Sequence, residues 1–394
     1  MFCRTKYNLN IDYEGKNMAI SVKEKNNKQI DFILLIDVLI MLALGIVMVM
    51  SASSPTSLSE TGHSYKYLRT QAISAVMGLV AMFIISNVNY KIYKKLYKII
   101  YMIVIILLAS VAVIGTSGGG AKRWIDLGFL TFQPSEVAKI GLIIFYSALL
   151  TNNKEHLKEL KMGFFYPILW LLPVVAILVG VQNHLSATIL IVMIVSVLML
   201  MAGCRLKYFL SFGLAGAGVG AIGLFALAKK TGAGGFRIQR LVTFLNPFAD
   251  TQGSGWQIIQ SLYAIGSGGL FGVGLGNSTQ KYLYLPEAHN DFIFSIIAEE
   301  LGFVGCVVVI ALFAIFIWRG IIIAMKAPDM FSSLVAAGIT TMVGLQAIIN
   351  IAVVTSSMPN TGMPLPFFSY GGTALLILLC SVGILLNISR YAKK

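Results

Sequence analysis

Charge is scarce in this chain. Of its 394 residues only 12% are Asp, Glu, Lys or Arg, and the acids are the smaller group, 16 against 30 basic residues. A soluble globular domain carries roughly twice that charged fraction, so a soluble fold is excluded. Cysteine is thin as well. Cys3, Cys204, Cys306 and Cys380 stand far apart, which gives neither a disulfide framework nor a metal-ligand spacing. His184 and His289 have no companions at metal spacing either. Regular apolar–polar alternation is missing, which argues against a transmembrane β-barrel. No long internal repeat is visible, so inverted-repeat transporter architecture gains no support. The first 30 residues are polar and charged, and no cleavable signal peptide is expected.

What is abundant is apolar sequence: 57% of the chain is hydrophobic and the mean hydropathy is +0.82. The apolar runs are continuous and about 20 residues long, the length of a membrane-spanning helix. An all-α polytopic membrane protein with ten spans is expected, near 32–53, 70–87, 96–115, 134–151, 164–182, 186–203, 208–228, 291–318, 331–356 and 372–389. Residues 1–31 form a tail and residues 32–394 a single membrane domain. With the N-terminus inside, the inner connections hold roughly twice as many Lys and Arg as the outer ones, so both termini are expected in the cytoplasm. The net charge of +14 then reads as cytoplasmic enrichment rather than as a nucleic-acid surface. Three long connections fall on the outer side: the Gly-rich 116–133, the loop 229–290, and the Pro-rich 357–371. Gln257–Ile265, within the second, is apolar enough for an interfacial helix.

Ionisable groups at or inside a bilayer are costly and are often functional. They concentrate in Tyr282–Gly302, where Glu287, His289 and Asp291 run into an apolar helix that carries Glu299 and Glu300. These groups either cap the helix or do chemistry on a lipid-borne substrate. At 100° per residue, Ser295, Ala298 and Gly302 share the face of Asp291, while Glu300 points away from it. Asp291, nearest the outer surface, is the candidate base; the glutamates read as structural, paired with cations from other helices. Lys139 follows Glu136 by three residues inside the fourth span. The two form either a self-contained ion pair or a site that helps to hold an anion. Lys122, Arg123, Arg237, Arg240 and Lys281 lie on the outer side, where cations are disfavoured; they either form a solvated face with lipid headgroup contacts or hold phosphate or pyrophosphate. Trp124 is an interface aromatic or a platform for a sugar ring. Gln346 and Asn350, one turn apart, read as interhelical hydrogen-bonding groups. Asp37, near the inner end of the first span, could snorkel to the interface.

These segments resemble the SEDS family (shape, elongation, division, sporulation) of membrane glycosyltransferases. The resemblance is carried by Gly120-Ala-Lys-Arg-Trp-Ile125, Gln133-Pro-Ser-Glu-Val-Ala-Lys139, Arg240-Leu-Val-Thr-Phe-Leu-Asn-Pro-Phe248, Gly253-Ser-Gly-Trp-Gln257, Gly274-Leu-Gly-Asn-Ser278, Pro286–Gly302 and Pro364-Leu-Pro-Phe-Phe-Ser-Tyr-Gly-Gly372. Tyr284-Leu-Pro-Glu287 and Pro364–Gly372 resemble the FtsW/SpoVE-like branch of division and sporulation more than the RodA-like branch. Asn290 stands where the family commonly has Thr. Gln182-Asn-His-Leu-Ser186 stands where many members have an acidic or Pro-containing turn.

The resemblance implies a ten-helix fold in the bacterial cytoplasmic membrane, with its active site on the outer face. It implies polymerisation of lipid II, a disaccharide-pentapeptide on undecaprenyl pyrophosphate, with Asp291 as catalytic acid. Substrate-binding candidates are Lys122, Arg123, Trp124, Glu136, Lys139, Arg237, Arg240, Lys281, Glu287 and His289. No cofactor is identifiable; a divalent cation, magnesium or manganese, could share the charge, although no ligand cluster announces it. The implied partners are a class B penicillin-binding protein transpeptidase and other divisome proteins, with no nucleic acid. The transpeptidase surface is expected on the eighth and ninth spans, at Gly305, Ala311, Ala336, Gly338 and Gly344. The alternatives are a lipid II flippase or a non-catalytic scaffold.

Overall fold

In the computed structural model the described residues are 29–118, 121–126, 131–211, 244, 247–249 and 255–392. Among them, nine helices are long and apolar enough to cross a membrane. They are α1 (Phe32–Thr61), α2 (Lys66–Asn87), α3 (Lys91–Ile114), α4 (Pro134–Asn152), a π-helical turn (Leu160–Phe165) running into α5 (Tyr166–Gly180), α6 (Leu185–Ala202), α8 (Ile293–Lys326), α9 (Met330–Val354) and α10 (Gly372–Ser389). A shorter helix, α7 (Trp256–Ser267), falls where the interfacial helix is expected. The span expected at 208–228 lies almost wholly outside the described residues. The elements on either side of it stand at opposite ends of the bundle. Tyr208 donates to the Lys158 carbonyl at one end, while Trp256 donates to the Tyr284 carbonyl at the other.

Each helix forms because its apolar run buries backbone hydrogen bonds that lipid could not satisfy. Asp31 caps α1 by accepting from the Leu34 amide, and Asp329 caps α9 by accepting from the Ser332 amide. Pro134 opens α4 at a position whose amide has no helical partner anyway. The start of α1 and the end of α10 meet at the bundle end that carries the short connections. There Arg319 pairs with Asp31, and the Asp31 amide donates to Ser389. The opposite end, expected to face outward, carries the long connections and is here called the loop end.

Helices α4 and α9 are central and largely buried, whereas α2 and α3 are peripheral. Phe145 of α4 stacks on Tyr101 of α3 at 4.3 Å and meets Trp170 of α5 at 5.6 Å, locking three helices together. The burial of α9 corrects the expected partner surface. A β-carbon on Gly338 would meet Ile143 and Leu198 from inside the bundle, one on Gly344 would meet Ile317, and Ala336 is fully buried. These small residues serve packing within the chain. On α8, by contrast, Ala311 is exposed beside Val307, Val308 and Ile310.

Three further expectations are corrected. The connection 116–133 is a small antiparallel sheet, β1 (Thr116–Gly118), β2 (Ala121–Asp126) and β3 (Thr131–Phe132) in that order. Asp37 does not snorkel: it is 3% exposed, and neither carboxylate oxygen has a hydrogen-bond partner. Helix α8 begins at Ile293 rather than at Asp291, and Gly302 interrupts it at φ 68°, ψ −165°. The face argument drawn from Asp291 assumed one unbroken helix and fails for that reason.

Candidate functional site

The Pro-rich connection after α9 organises the loop end. Three prolines and a left-handed Phe367 (φ 67°) keep residues 358–371 from forming a helix. The segment therefore runs as irregular backbone inside the bundle, tolerable at this depth because protein surrounds it. A β-carbon on Gly45 of α1 would stand 2.1 Å from the Phe367 carbonyl oxygen, so the loop presses directly on α1. Gln71 of α2, fully buried, holds the loop from the other side. Its amide donates to the Ser369 carbonyl and its oxygen accepts from the Gly371 amide.

This loop positions Asp291. Asn350 of α9 donates through Nδ2 both to the Asp291 carbonyl and to the Met363 carbonyl, each at 2.7 Å. Ser369 donates to the Asn290 carbonyl at 2.6 Å, and the Tyr370 amide donates to the His289 carbonyl. Residues 289–291 are thus tied along their backbone. The Asp291 carboxylate reaches Gly362: a β-carbon there would lie 3.2 Å from Oδ2. Asp291 is half-buried, at the edge between protein and surroundings.

The same loop walls a small cavity, open in part to the outside, whose lining includes Glu136, Lys139, Gln346, Ser369 and Tyr370. Lys139 is 3% exposed and its Nζ stands 2.7 Å from Glu136 Oε2. The pair faces the cavity, so the two readings of it are compatible in geometry. Asp291 is not part of this lining; the link is Ser369, which lines the cavity and donates to the carbonyl of Asn290, the residue before Asp291.

On the neighbouring side, Arg123 of β2 donates to the Gln182 and Asn183 carbonyls, pinning the sheet to the turn between α5 and α6. Ser186, in the first turn of α6, donates to the Thr361 carbonyl. His184 approaches Gln133 at 3.4 Å, and its Nδ1 is buried without a partner. Burial lowers its pKa to about 3, with the nearby charges of Arg123 and Lys139 acting the same way, so the ring is neutral. Lys122 is exposed, and Trp124 is half-buried on the same strand.

Two expected site residues are placed elsewhere. Lys281 is not an open outer cation. It is 3% exposed, and its Nζ contacts Glu300 at 2.8 Å, the Gly276 carbonyl at 2.6 Å and Ser51 of α1 at 3.1 Å. A loop that folds back onto α8 supplied a cation where one from another helix was expected. His289 is wedged between rings, 4.6 Å from Tyr67 and 5.8 Å from Tyr370. Burial holds its pKa below the ordinary histidine value, against the pull of Glu287 and Glu60, which fits an apolar contact better than an anion contact. Glu287 sits at a left-handed φ of 55° and accepts from Asn290. Arg237 and Arg240 lie outside the described residues. No group of three or more His, Cys, Asp or Glu side chains that could hold a metal occurs among the described residues, so no ligand set is assigned to the expected magnesium or manganese.

Sequence reasoning missed Gln71, Gly362 and Ser369, and undervalued Asn350. The advance signal for Asn350 was its place one turn from Gln346 in an otherwise apolar span. Together the fold and site define a polytopic, mainly helical membrane protein with a backbone-tethered aspartate segment and a lysine-bearing cavity joined by one loop. Residues 32–394 match the family described as "Cell cycle protein" (FtsW/RodA/SpoVE), and the chain belongs to it. It is 40% identical to the stage V sporulation protein E of Bacillus subtilis over 365 residues, which are 92% of this chain and 98% of that one. It is 38% identical over 361 residues to a probable peptidoglycan glycosyltransferase FtsW of Geobacter sp., covering 91% and 96%. Its fold is similar to a chain of a complex described as "structural coordination of polymerization and crosslinking by a peptidoglycan synthase complex", with a TM-score of 0.74, 30% identity, and 92% and 98% covered. It is also similar to the rod shape determining protein RodA of Thermus thermophilus, with a TM-score of 0.65, 28% identity, and 93% and 98% covered.

Proposed function

We propose that this chain is a peptidoglycan glycosyltransferase of cell division or sporulation, which polymerises lipid II at the outer face of the bacterial cytoplasmic membrane. The observation that carries the reading is the backbone tether at the half-buried Asp291: Asn350 holds its carbonyl, and Ser369, which also lines the Glu136–Lys139 cavity, holds the carbonyl of the residue before it. The 4-hydroxyl of the acceptor sugar attacks the anomeric carbon of the donor. The new carbon–oxygen bond forms as the bond to undecaprenyl pyrophosphate breaks, and Asp291 takes the hydroxyl proton. An α-linked donor giving a β-linked product is inversion, for which one base suffices without a covalent intermediate. Lys139 offers a positive charge to the leaving pyrophosphate, with Glu136 setting its position. Lys122 and Arg123 border the same end of the bundle, and Arg237 and Arg240 are assigned to the pyrophosphates by motif alone. Trp124 remains the candidate for stacking on a sugar ring.

The similar synthase complex, described as coordinating polymerization and crosslinking, supports a crosslinking partner, for which the reading is a class B penicillin-binding protein within the larger divisome. The test is Asp291→Asn, nearly isosteric, assayed with purified lipid II for glycan ladders. A loss of at least about 100-fold is expected, with the melting temperature unchanged. Ladders at the wild-type rate from the folded variant would remove Asp291 as the base.

A further inference from the structure

The break in α8 is bridged by another part of the chain. Interrupting a helix at Gly302 separates the carbonyls of Glu299 and Glu300 from the amides of Phe303 and Val304, which they would otherwise accept from. All four groups are satisfied by residues 269–274. Val273 donates to the Glu299 carbonyl at 3.0 Å and Gly274 to the Glu300 carbonyl at 3.1 Å; Phe303 donates to the Gly269 carbonyl at 2.9 Å and Val304 to the Leu270 carbonyl at 3.1 Å. The glycine-rich run is thus a main-chain patch laid across the gap. It fits only because both sides are bare: a β-carbon on Gly272 would lie 2.1 Å from the Glu300 carbonyl oxygen, and one on Gly302 would lie 2.3 Å from the Gly272 nitrogen.

The side chains of the same two glutamates grip the residues that follow the patch. Glu299 accepts from the Ser278 hydroxyl and from the Thr279 amide and hydroxyl. Glu300 pairs with Lys281 and accepts from Ser51 of α1 at 2.7 Å. Glu299, Glu300 and Lys281 are all at most 3% exposed. A buried ion pair adds little net stability over an apolar pair of the same shape, so stability alone does not account for one here. What the knot does geometrically is fix both ends of one segment. Residues 282–292 leave the knot at Lys281 and return to it through the first turns of α8, and Asp291 stands between the two anchors.

We propose that Lys281, Glu300 and Ser51 are positioning residues for Asp291, setting from below where the carboxylate stands while Asn350 and Ser369 hold it from the side. The proposal rests on Asp291 acting as the base. Ser51, Lys281 and Glu300 are not among the residues lining the cavity; the knot acts by fixing the segment, and a displacement of about 1 Å in a base costs turnover rather than binding. Loosening it lowers kcat and leaves KM for lipid II in place.

The test uses the full chain, with rates measured per folded molecule in the monodisperse fraction. The neutral double variant Lys281→Met/Glu300→Gln removes the ion pair while keeping its shape. A kcat at least tenfold below wild type with KM within twofold is expected, and the swapped variant Lys281→Glu/Glu300→Lys should recover part of the rate. A raised KM without recovery in the swap would make Lys281 a substrate contact and overturn the proposal; an unchanged kcat would do the same. If either double variant fails to fold, Ser51→Ala carries the test, because it removes one hydroxyl and no charge. About threefold lower kcat is expected from it, and a wild-type kcat overturns the proposal. Asp291→Asn is run in parallel. Activity in Asp291→Asn removes the base itself, whereas an inactive Asp291→Asn beside fully active knot variants removes only the positioning role.

Discussion

Lys139 shows at the scale of one residue how the site is built. Its ammonium lies 2.7 Å from Glu136 and is almost sealed from the surroundings, yet the pair lines the cavity. Replacing it by Met strands Glu136 near lipid. If Lys139 serves only Glu136, the melting temperature drops and turnover per folded molecule stays normal. The expected outcome is the other one: turnover falls at least tenfold at saturating lipid II, beyond any loss of folded protein. His184 makes a pH-dependent prediction. In the unfolded chain it takes a proton near pH 6.5, whereas the folded protein resists protonation down to about pH 3. The unfolded state therefore binds more protons between those values, and stability present above pH 6.5 is lost as pH falls below it. The loss by pH 5 is up to about 2 kcal/mol, and His289 adds to it in the same direction. Melting curves in detergent from pH 7.5 to 5 check this, with His184→Asn expected to flatten the dependence. Asp291 was legible beforehand because ionisable groups stand out against apolar sequence. The true place of Lys281 was not, because nothing in linear spacing reveals that a loop folds back 19 residues to Glu300.

Among the elements, the membrane helices were the most legible feature. The expected ends of α4, α6, α9 and α10 fall within two residues of those observed, because apolar length is fixed by bilayer thickness. The break at Gly302 was not legible, since a window of hydropathy is blind to φ and ψ. Nor was the sheet β1–β3, whose glycine-rich sequence reads simply as a loop. The Pro-rich connection is irregular, as its three prolines require; its role as a wall for the site came only from the hydrogen bonds of Gln71, Asn350 and Ser369. Asn350 gives the test at this scale. Asn350→Leu leaves the Asp291 and Met363 carbonyls without a donor in a buried place, at a cost of about 1–3 kcal/mol. A fall in melting temperature accompanied by a fall in kcat is expected. A normal kcat in the folded variant would show that α9 does not hold the base.

Across the whole molecule, the central position of α9 limits where a single-span partner can dock. Its small residues are already used against α4, α6 and α8, so of the two spans where the partner surface is expected, α8 offers the outward small residue, Ala311, beside Val307 and Val308. Lipid solvates apolar surface well, and association there rests on close van der Waals fit. Ala311→Trp should weaken stimulation by the transpeptidase at least fivefold without altering the melting temperature or the unstimulated rate. Gly338→Leu should instead damage the fold, because its new side chain meets Ile143 and Leu198. A transpeptidase with its own serine blocked should still raise lipid II turnover strongly. An unchanged rate would show that the loop end is fully organised without a partner.

The patch across the Gly302 break has a genetic consequence. Its bonds run from main chain to main chain, and the atoms crowding Gly272 and Gly302 are themselves backbone. Trimming an opposing side chain therefore makes no room. A lesion at either glycine has no reciprocal partner whose change could compensate it, unlike one at Lys281 or Glu300, where a charge exchange is conceivable. Suppressors selected against a glycine lesion should map to distant stabilising positions, while those selected against Lys281→Glu should include position 300 itself.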